Sequence, residues 1–414
     1  MTKSGETRAS KYALAFIFVT MLVDTIGLGI IIPVTPALIR ELTGRGMSDA
    51  AWWGGWLMFV FALMQFLCAP IMGNLSDRFG RRPVLILSLV ALAIDYTITG
   101  LAPTIAWLFI GRFLSGIAGA TFPTVNAYIA DVSPPEKRAA NFGLTGAAFG
   151  IGFILGPLIG GLIGSQFGPR MPFFVSAGIA IANAIYGWFV LHESLTKENR
   201  RKFEMWRSTP WGSLRAVKRY PQVFGLIGVI VLMRLSHDAN PSVWTYFSME
   251  KFHWTPADVG YSLMVMGAAI ALVYGVLTRT VIPRIGETNA IYFGIFCSAL
   301  GFAGYAFSTA GWMLYGWMLV WALSGLAGPA LNSFMSRHMP ANEQGELQGA
   351  LSSIGSLTSI VAPLLLTNLF SYFTGPAAPI YFPGAAFLAA SVFSLCAMLV
   401  FARAKAVAVQ QPAE

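Results

Sequence analysis

Apolar runs of roughly 20 residues recur along this chain of 414 residues, and they constrain its fold more than any other feature. Hydrophobic residues make up 56% of the sequence and charged residues 11%, which is too little charge for the surface of a soluble domain. Because backbone groups in lipid must bond to one another, such runs are expected to form helices that span a membrane. The sequence therefore predicts an all-α membrane protein.

Twelve transmembrane helices are predicted, arranged as two six-helix halves. Their limits are 12–39, 50–73, 83–102, 106–130, 139–164, 171–192, 221–248, 256–280, 289–308, 311–336, 345–371 and 379–402. Residues 1–192 form the N-terminal half, 193–220 a cytoplasmic linker and 221–414 the C-terminal half. An internal repeat favours this division, because RFGR at 78–81 aligns with RIGE at 284–287 at an offset of 206 residues.

Lysine and arginine residues are concentrated on one side of the predicted helices. With both termini in the cytoplasm, 21 of the 27 fall in cytoplasmic segments, as the positive-inside rule requires. The first apolar run is too long for the core of a signal peptide, so it is expected to remain as helix 1. The net charge of +9 then reports topology and contact with anionic lipid rather than nucleic-acid binding.

A short polar stretch, GNLSDRFGRRP at 73–83, separates the second and third apolar runs. Lipid cannot solvate its charges, so it must lie at the membrane surface. Gly73 and Gly80 are expected to permit a tight turn, and Pro83 suits the first turn of the next helix.

The charged residues of this stretch are expected to close the cytoplasmic face. Asp77 suits the N-terminus of a helix, and Arg78 or Arg81 is expected to reach Asp131 at the end of helix 4. Ordinary solvated loop charge is the alternative. The predicted cytoplasmic gate consists of Gly73, Asp77, Arg78, Gly80, Arg81 and Asp131.

Charges inside the predicted helices are costly in lipid unless they face protein or water. A buried carboxylate binds a proton more readily, and an approaching arginine opposes this, which would couple protonation to conformation. Static Asp–Arg pairing that only holds helices together is the alternative. The proton-coupling candidates are Asp24, Asp95, Arg112 and Asp238.

Helix 7 carries Arg234, His237 and Asp238, of which Arg234 and Asp238 are spaced to pair on one face. An Arg–His pair that faces a cavity would suit a substrate with an anionic group, whereas an interior histidine can also be simply hydrogen-bonded. Deeper aromatic residues are expected to line a cavity for a flat apolar ligand, with core packing as the alternative. Substrate-binding candidates on these grounds are Arg234, His237, Trp244, Trp317 and Trp321.

Helix 5 carries glycines at four-residue spacing, which form one flat stripe against which another helix backbone can lie. Plain helix packing explains this stripe as a seam along which helices move. The helix-packing residues are Gly152, Gly156, Pro157 and Gly160.

These motifs resemble those of the major facilitator superfamily and, within it, of the bacterial tetracycline/proton antiporters. The matching segments are LMQFLCAP at 63–70, LSDRFGRRPVL at 75–85, GRFLSGIAGA at 111–120, AYIAD at 127–131, the glycine-rich segment 150–161 and GALSS at 349–353. The resemblance implies the twelve-helix major facilitator fold and export against proton entry. It maps family functional positions onto Asp24, Gln65, Ser76, Asp77, Arg81, Asp95 and Arg112, and it makes Gln65 a substrate-binding candidate.

The C-terminal half departs from this resemblance. The family pattern implies a histidine in helix 8 and an aspartate in helix 9, where this chain has Ile270 and Cys297. The N-terminal coupling residues are thus kept, while the substrate-facing residues of the C-terminal half differ.

We therefore expect a proton-coupled exporter of an amphipathic small molecule or drug, tetracycline-like, in a bacterial inner membrane. A transporter of a specific polar or anionic metabolite is the first alternative, and a non-transporting membrane receptor is the second. Enzyme chemistry is not expected, because no catalytic or phosphate-binding motif stands out. The expected partners are a small-molecule substrate, protons and lipid, with no nucleic acid, and the chain is expected to act as a monomer. The proton is the coupling ion and no cofactor is expected, while a divalent cation bound to the substrate is left open.

Overall fold

The structure is a computed structural model that describes residues 3–120, 122–134, 137–201, 221–337 and 344–410. In this part of the chain every regular element is a helix. The predicted linker 193–220 lies outside the described residues from position 202 onward.

Eight helices precede this gap. They are α1 (Lys3–Ile31), α2 (Thr35–Thr43), α3 (Met47–Phe79), α4 (Arg81–Leu101), α5 (Ile105–Gly119), α6 (Phe122–Val132), α7 (Arg138–Phe167) and α8 (Met171–Val190).

Nine helices follow it. They are α9 (Pro221–His237), α10 (Ala239–Phe252), α11 (Pro256–Leu272), α12 (Thr278–Ile285), α13 (Glu287–Phe307), α14 (Gly311–Ala322), α15 (Ala327–Arg337), α16 (Gln344–Thr374) and α17 (Ala385–Gln410). A π-helical segment, Val273–Leu277, joins α11 to α12, and a 3₁₀ segment, Leu323–Leu326, joins α14 to α15.

Ten helical stretches of the described chain are long and apolar enough to cross a membrane, and α1 with α2 adds an eleventh that is bent by 43°. The bend falls at Pro33, which lacks the amide hydrogen that a continuous helix needs there. The predicted seventh span, 221–248, is instead two successive helices, α9 and α10, of 17 and 14 residues. Pro241 explains this break, because the carbonyl oxygen of His237 finds no amide hydrogen four residues later.

The predicted turn at 73–83 is shorter than the sequence indicated. Helix α3 continues through Gly73 to Phe79, so only Gly80 lies outside a helix, at φ 107°. Such a backbone conformation strongly favours glycine. The expectation that Gly73 takes part in the turn is wrong, because the helix satisfies its backbone up to Gly80.

The chain forms two compact units. Unit 1 contains Met1–Gly44, Val60–Thr209 and Thr255–Met264, and unit 2 contains Arg45–Phe59, Pro210–Trp254 and Val265–Glu414.

Unit 1 is built around the contact of α1 with α7. A Cβ atom added at Gly156 would lie 2.8 Å from the Cα of Gly29, and one added at Gly152 would lie 2.7 Å from the Cβ of Thr25. Since these distances leave no room for a side chain, the glycine stripe of α7 lets the two backbones touch. The Pro157 ring packs against the same glycine, Gly29.

Unit 2 has an aromatic core made by α10, α13 and α17. Trp244 lies edge-on to Tyr305 with ring centroids 5.1 Å apart, and Phe247 lies edge-on to Phe387 at 4.9 Å. Phe302 stacks on Phe387 at 6.0 Å. Pairs in these geometries each add about 0.5–1.5 kcal/mol beyond the burial of their area.

The glycine stripe generates a test with a matched control inside α7. We expect Gly160→Ala to lower the free energy of unfolding by about 1–3 kcal/mol, because the new Cβ would lie 2.6 Å from the Cα of Ile30. Gly150→Ala adds the same methyl group where nothing lies within 4 Å, so it should not destabilise the protein. The melting temperature of each purified variant is measured by heating the protein and monitoring how fast a maleimide reagent labels its three free cysteines. Equal melting temperatures would contradict the packing described for the stripe.

Candidate functional site

A buried ion pair joins α4 to α5 in unit 1. Asp95 is fully buried, and its Oδ2 atom lies 2.9 Å from Nη2 of Arg112. The Thr99 hydroxyl donates to the Oδ1 atom of Asp95 at 3.2 Å. A Cβ at Gly111 would overlap that carboxylate, so glycine there lets α5 approach α4 closely. Because removing one partner would leave an unpaired buried charge, each residue depends on the other.

Asp24 and Tyr96 extend this pair toward α1. Gly27 lies one helical turn after Asp24 on α1. A Cβ added at Gly27 would lie 3.8 Å from the Tyr96 ring. The Tyr96 hydroxyl is buried and has no hydrogen-bond partner among the described residues. Tyr96, the neighbour of Asp95 on α4, thus brings a buried hydroxyl to α1 near Asp24, and sequence reasoning missed it.

Gln65 lies on α3 and bonds to α5. Its Nε2 atom donates to the carbonyl oxygen of Gly119 at 3.1 Å. Gln65 thus connects α3 to the C-terminal end of the helix that carries Arg112. This hydrogen bond occupies one of the two amide hydrogens of Gln65.

Arg81 organises the start of α4. Its Nη1 donates to the Asp77 carboxylate and, at 2.7 Å, to the Ser76 hydroxyl, while Nε lies 3.4 Å from Oδ2 of Asp131. The Ser194 hydroxyl donates to the same Asp131 oxygen at 2.9 Å. One guanidinium therefore ties together the end of α3, the start of α4 and the end of α6.

Two expectations for this loop need correction. Asp77 lies in the last turn of α3 rather than at a helix N-terminus, because α3 continues to Phe79. Arg78 does not reach Asp131, since its guanidinium lies 5.0 Å above the Phe79 ring. Arg81 alone makes the predicted contact with Asp131.

The N-terminus of α4 is capped by Glu193, which follows α8. Its Oε1 atom accepts from the Arg81 amide at 2.8 Å, and Oε2 accepts from the Arg82 amide at 3.3 Å. A carboxylate stabilises the free amides and the positive end of a helix dipole. Sequence reasoning missed this role, since a cap from 112 residues away has no local signature.

Unit 2 contains a pair at the equivalent repeat positions with its charges exchanged. Glu287, at the start of α13, bonds to Nη2 of Arg337 at 2.9 Å and to the Ser333 hydroxyl at 2.6 Å. Glu287 and Arg337 stand 206 residues after Arg81 and Asp131, respectively. The Arg337 side chain is 72% exposed, whereas that of Arg81 is 10% exposed. The pair in unit 1 is therefore the better shielded from water and salt.

A cavity of about 350 Å³ lies in unit 2 between α9, α15, α16 and the π-helical segment. Arg234, His237 and Tyr274 line it, together with Asn332 and Ser352. Two of the predicted substrate-binding residues are thus brought to one cavity wall.

Asp238 does not form the predicted ion pair with Arg234. Its Oδ2 atom is buried without a hydrogen-bond partner among the described residues, and the Asp238 amide donates to the Arg234 carbonyl at 2.9 Å. This backbone bond keeps Asp238 one helical turn from Arg234, yet the two side chains form no ion pair in the part of the chain that the structure describes. His237 Nε2 and Trp321 Nε1 are also buried without partners in the described structure, and their rings lie 5.6 Å apart.

The other aromatic candidates pack in the core rather than against this cavity. Trp244 is 1% exposed and lies within the aromatic core of unit 2. Trp317 packs against Gly304, where a Cβ would overlap its indole ring. Helical spacing alone could not distinguish such core tryptophans from cavity-lining ones.

The cap on α4 can be tested locally. We expect Glu193→Ala to make the first amides of α4 exchange about fivefold faster, since such a cap contributes about 1 kcal/mol. Glu198→Ala is the control, because Glu198 is exposed in the same segment. Hydrogen–deuterium exchange at the amides of Arg81, Arg82 and Val84 measures the effect. Unchanged exchange in the Glu193 variant would show that the cap does not hold the helix end.

Comparisons with known proteins agree with this architecture. The sequence pattern of the Major Facilitator Superfamily matches residues 17–363. Tetracycline resistance protein, class C, of Escherichia coli is 39% identical over 362 residues, which cover 87% of this chain and 90% of the relative. Multidrug resistance protein 2 of Bacillus subtilis (strain 168) is 31% identical over 363 residues, which cover 86% and 87%.

A solved structure shares the fold. A bacterial homologue of the human lysosomal transporter Spinster, inward-facing and unoccupied, superposes with a TM-score of 0.75 at 17% identity, and the match covers 100% of both chains. The predicted all-α fold of membrane-spanning helices is confirmed, as is the prediction of a transporter rather than an enzyme. The chain belongs to the Major Facilitator Superfamily of membrane transporters.

Proposed function

We propose that this transporter exports an amphipathic drug of the tetracycline type and that proton entry drives the export. The identity of 39% to a tetracycline resistance protein supports the substrate class, since it extends over 87% of the chain. A second relative, named for multidrug resistance, supports export of drugs more broadly.

The observation that carries the proton coupling is the buried Asp95–Arg112 pair. We propose that this pair, bonded at 2.9 Å in the structure, alternates between the ionised pair and a protonated acid that releases the arginine. Since Arg112 lies on α5 and Asp95 on α4, exchange between these arrangements alters the contact between two helices. We propose that Asp24 passes the proton on the same route, with the Tyr96 hydroxyl between the two acids.

The proposal extends to location and partners. The distribution of lysine and arginine supports a bacterial inner membrane location with both termini in the cytoplasm. We propose that the chain acts as a monomer on a small-molecule substrate, with protons and lipid as its other partners and no nucleic acid. The proton serves as the coupling ion, and no cofactor is required.

A specific anionic metabolite is the second candidate substrate. The cavity lined by Arg234 and His237 favours it, as do Ile270 and Cys297, which are not the residues implied by the tetracycline resemblance. Such a transporter would keep the same coupling residues in unit 1. The two candidates can be distinguished by whether drugs or anionic metabolites evoke proton movement through the transporter.

Proton movement in energised everted membrane vesicles tests the proposal. We expect tetracycline to evoke proton release from vesicles that contain this protein, because each exported molecule exchanges with a proton. Asp24→Asn and Asp95→Asn should abolish the signal, since neither amide can carry the proton. Asp49→Asn should leave it unchanged, because Asp49 pairs with Arg45 at the exposed start of α3.

Release evoked by tetracycline or another drug would support drug export and rank the substrates. Silence from every drug, with correctly folded protein in the vesicles, would contradict the proposal. Release that persists in both Asn variants would remove Asp24 and Asp95 from the coupling.

A further inference from the structure

The cavity of unit 2 is bounded by irregular backbone. Tyr274 enters it from the π-helical segment Val273–Leu277, and His237 enters it at the break between α9 and α10. Single π-helical turns are rare and occur frequently at functional sites. In transporters, interrupted helices are typical of the places where substrates and ions bind. The backbone around this cavity is thus shaped for a ligand rather than for uniform packing.

Arg234 supplies the charge of this cavity. Among the described side chains that line it, Arg234 alone carries a permanent charge, and no acid lines it. The guanidinium is exposed to the cavity and forms no ion pair in the part of the chain that the structure describes. A Cβ added at Gly355 would lie 3.9 Å from the guanidinium carbon, so α16 passes beside this group at a residue without a side chain.

Neutral donors surround the same space. The Tyr274 hydroxyl, the Asn332 amide and the Ser352 hydroxyl each offer a hydrogen that a carboxylate can accept. The remaining wall includes the apolar side chains of Met233 and Leu351. A cation with neutral donors on one side and apolar surface on the other matches a molecule with an anionic end and an apolar body.

We propose that this cavity is a subsite for the anionic group of an amphipathic organic anion, with Arg234 as the residue that binds it. The guanidinium presents a planar pair of donors that suits a carboxylate better than a neutral amide. The proposal rests on the function proposed above, because it identifies the chemical class of substrate that the transporter takes.

Two aromatic compounds of the same shape test this subsite. 2-Naphthoate carries a carboxylate, and 2-naphthamide carries a neutral amide in its place. We measure the binding of each by calorimetry to the full chain in nanodiscs of neutral lipid, which removes attraction of the anion by the bilayer. We expect the wild type to bind the carboxylate about tenfold more tightly than the amide.

Substitutions at Arg234 assign that preference to one residue. Arg234→Gln should weaken naphthoate about tenfold and change naphthamide less than about twofold, whereas Arg234→Lys should keep part of the preference. Arg279→Gln removes an exposed arginine of α12 that does not line the cavity, and it should change neither affinity. Size-exclusion profiles and melting temperatures show whether each variant is folded.

The proposal is overturned if the wild type binds neither compound, shows no preference for the carboxylate, or keeps the preference in the Gln variant. Equal weakening of both compounds by Arg234→Gln would also overturn it, since that result assigns Arg234 a structural role. Proton release by tetracycline, measured in the energised everted vesicles described above, separates the two proposals. If the protein prefers the carboxylate but tetracycline evokes no proton release, the proposal of tetracycline export is excluded and the proposal of an anion subsite stands.

Discussion

A charge inside a membrane-spanning helix bundle must be paired, hydrated or neutralised, and this requirement explains the polar architecture of unit 1. Asp95 is fully buried, so its charge depends on Arg112 at 2.9 Å. Gly111 removes the side chain that would separate the two helices at this point. The ion pair and the absence of a side chain at Gly111 together hold α4 close to α5, and the proposed coupling acts on this contact.

The ends of the same helices are held by a second set of charges. Arg81 bonds to Asp77 and Asp131, while Glu193 caps the helix that begins at Arg81. Any displacement of α4 that follows a change at Asp95 must therefore be transmitted to α3, α6 and the segment after α8. Unit 2 repeats the pair with reversed polarity in Glu287 and Arg337, but on a more exposed surface. Both halves of the repeat therefore have an ion pair at these positions, although the positive and negative residues are exchanged.

The sequence alone was sufficient for the helical membrane fold, because a long apolar run in lipid must satisfy its own backbone hydrogen bonds, which a helix does within one segment. The sequence also predicted that Arg78 or Arg81 reaches Asp131, which Arg81 does, and the glycine stripe of α7 indicated a close helix contact. Three features could not be predicted from the sequence. Pro241 breaks helix 7, and the side chains of Arg234 and Asp238, which the helical spacing had paired, form no ion pair in the described structure. Glu193 and Tyr96 act across the fold, and no local pattern marks such contacts. Trp244 lies in the core and not at the cavity, and the sequence could not predict this because an apolar helix has no polar face that marks which side a tryptophan takes.

The most direct test of the central claim is uphill transport by the double variant Asp95→Asn, Arg112→Gln. This variant removes both charges, so it avoids the unpaired buried group that either single change leaves. Steady-state tetracycline accumulation in proteoliposomes under an imposed pH gradient is the quantity to measure. Coupling through this pair predicts that tetracycline equilibrates across the membrane without accumulating, while the wild type concentrates it. Accumulation equal to that of the wild type would contradict the claim that the Asp95–Arg112 pair couples protons to transport.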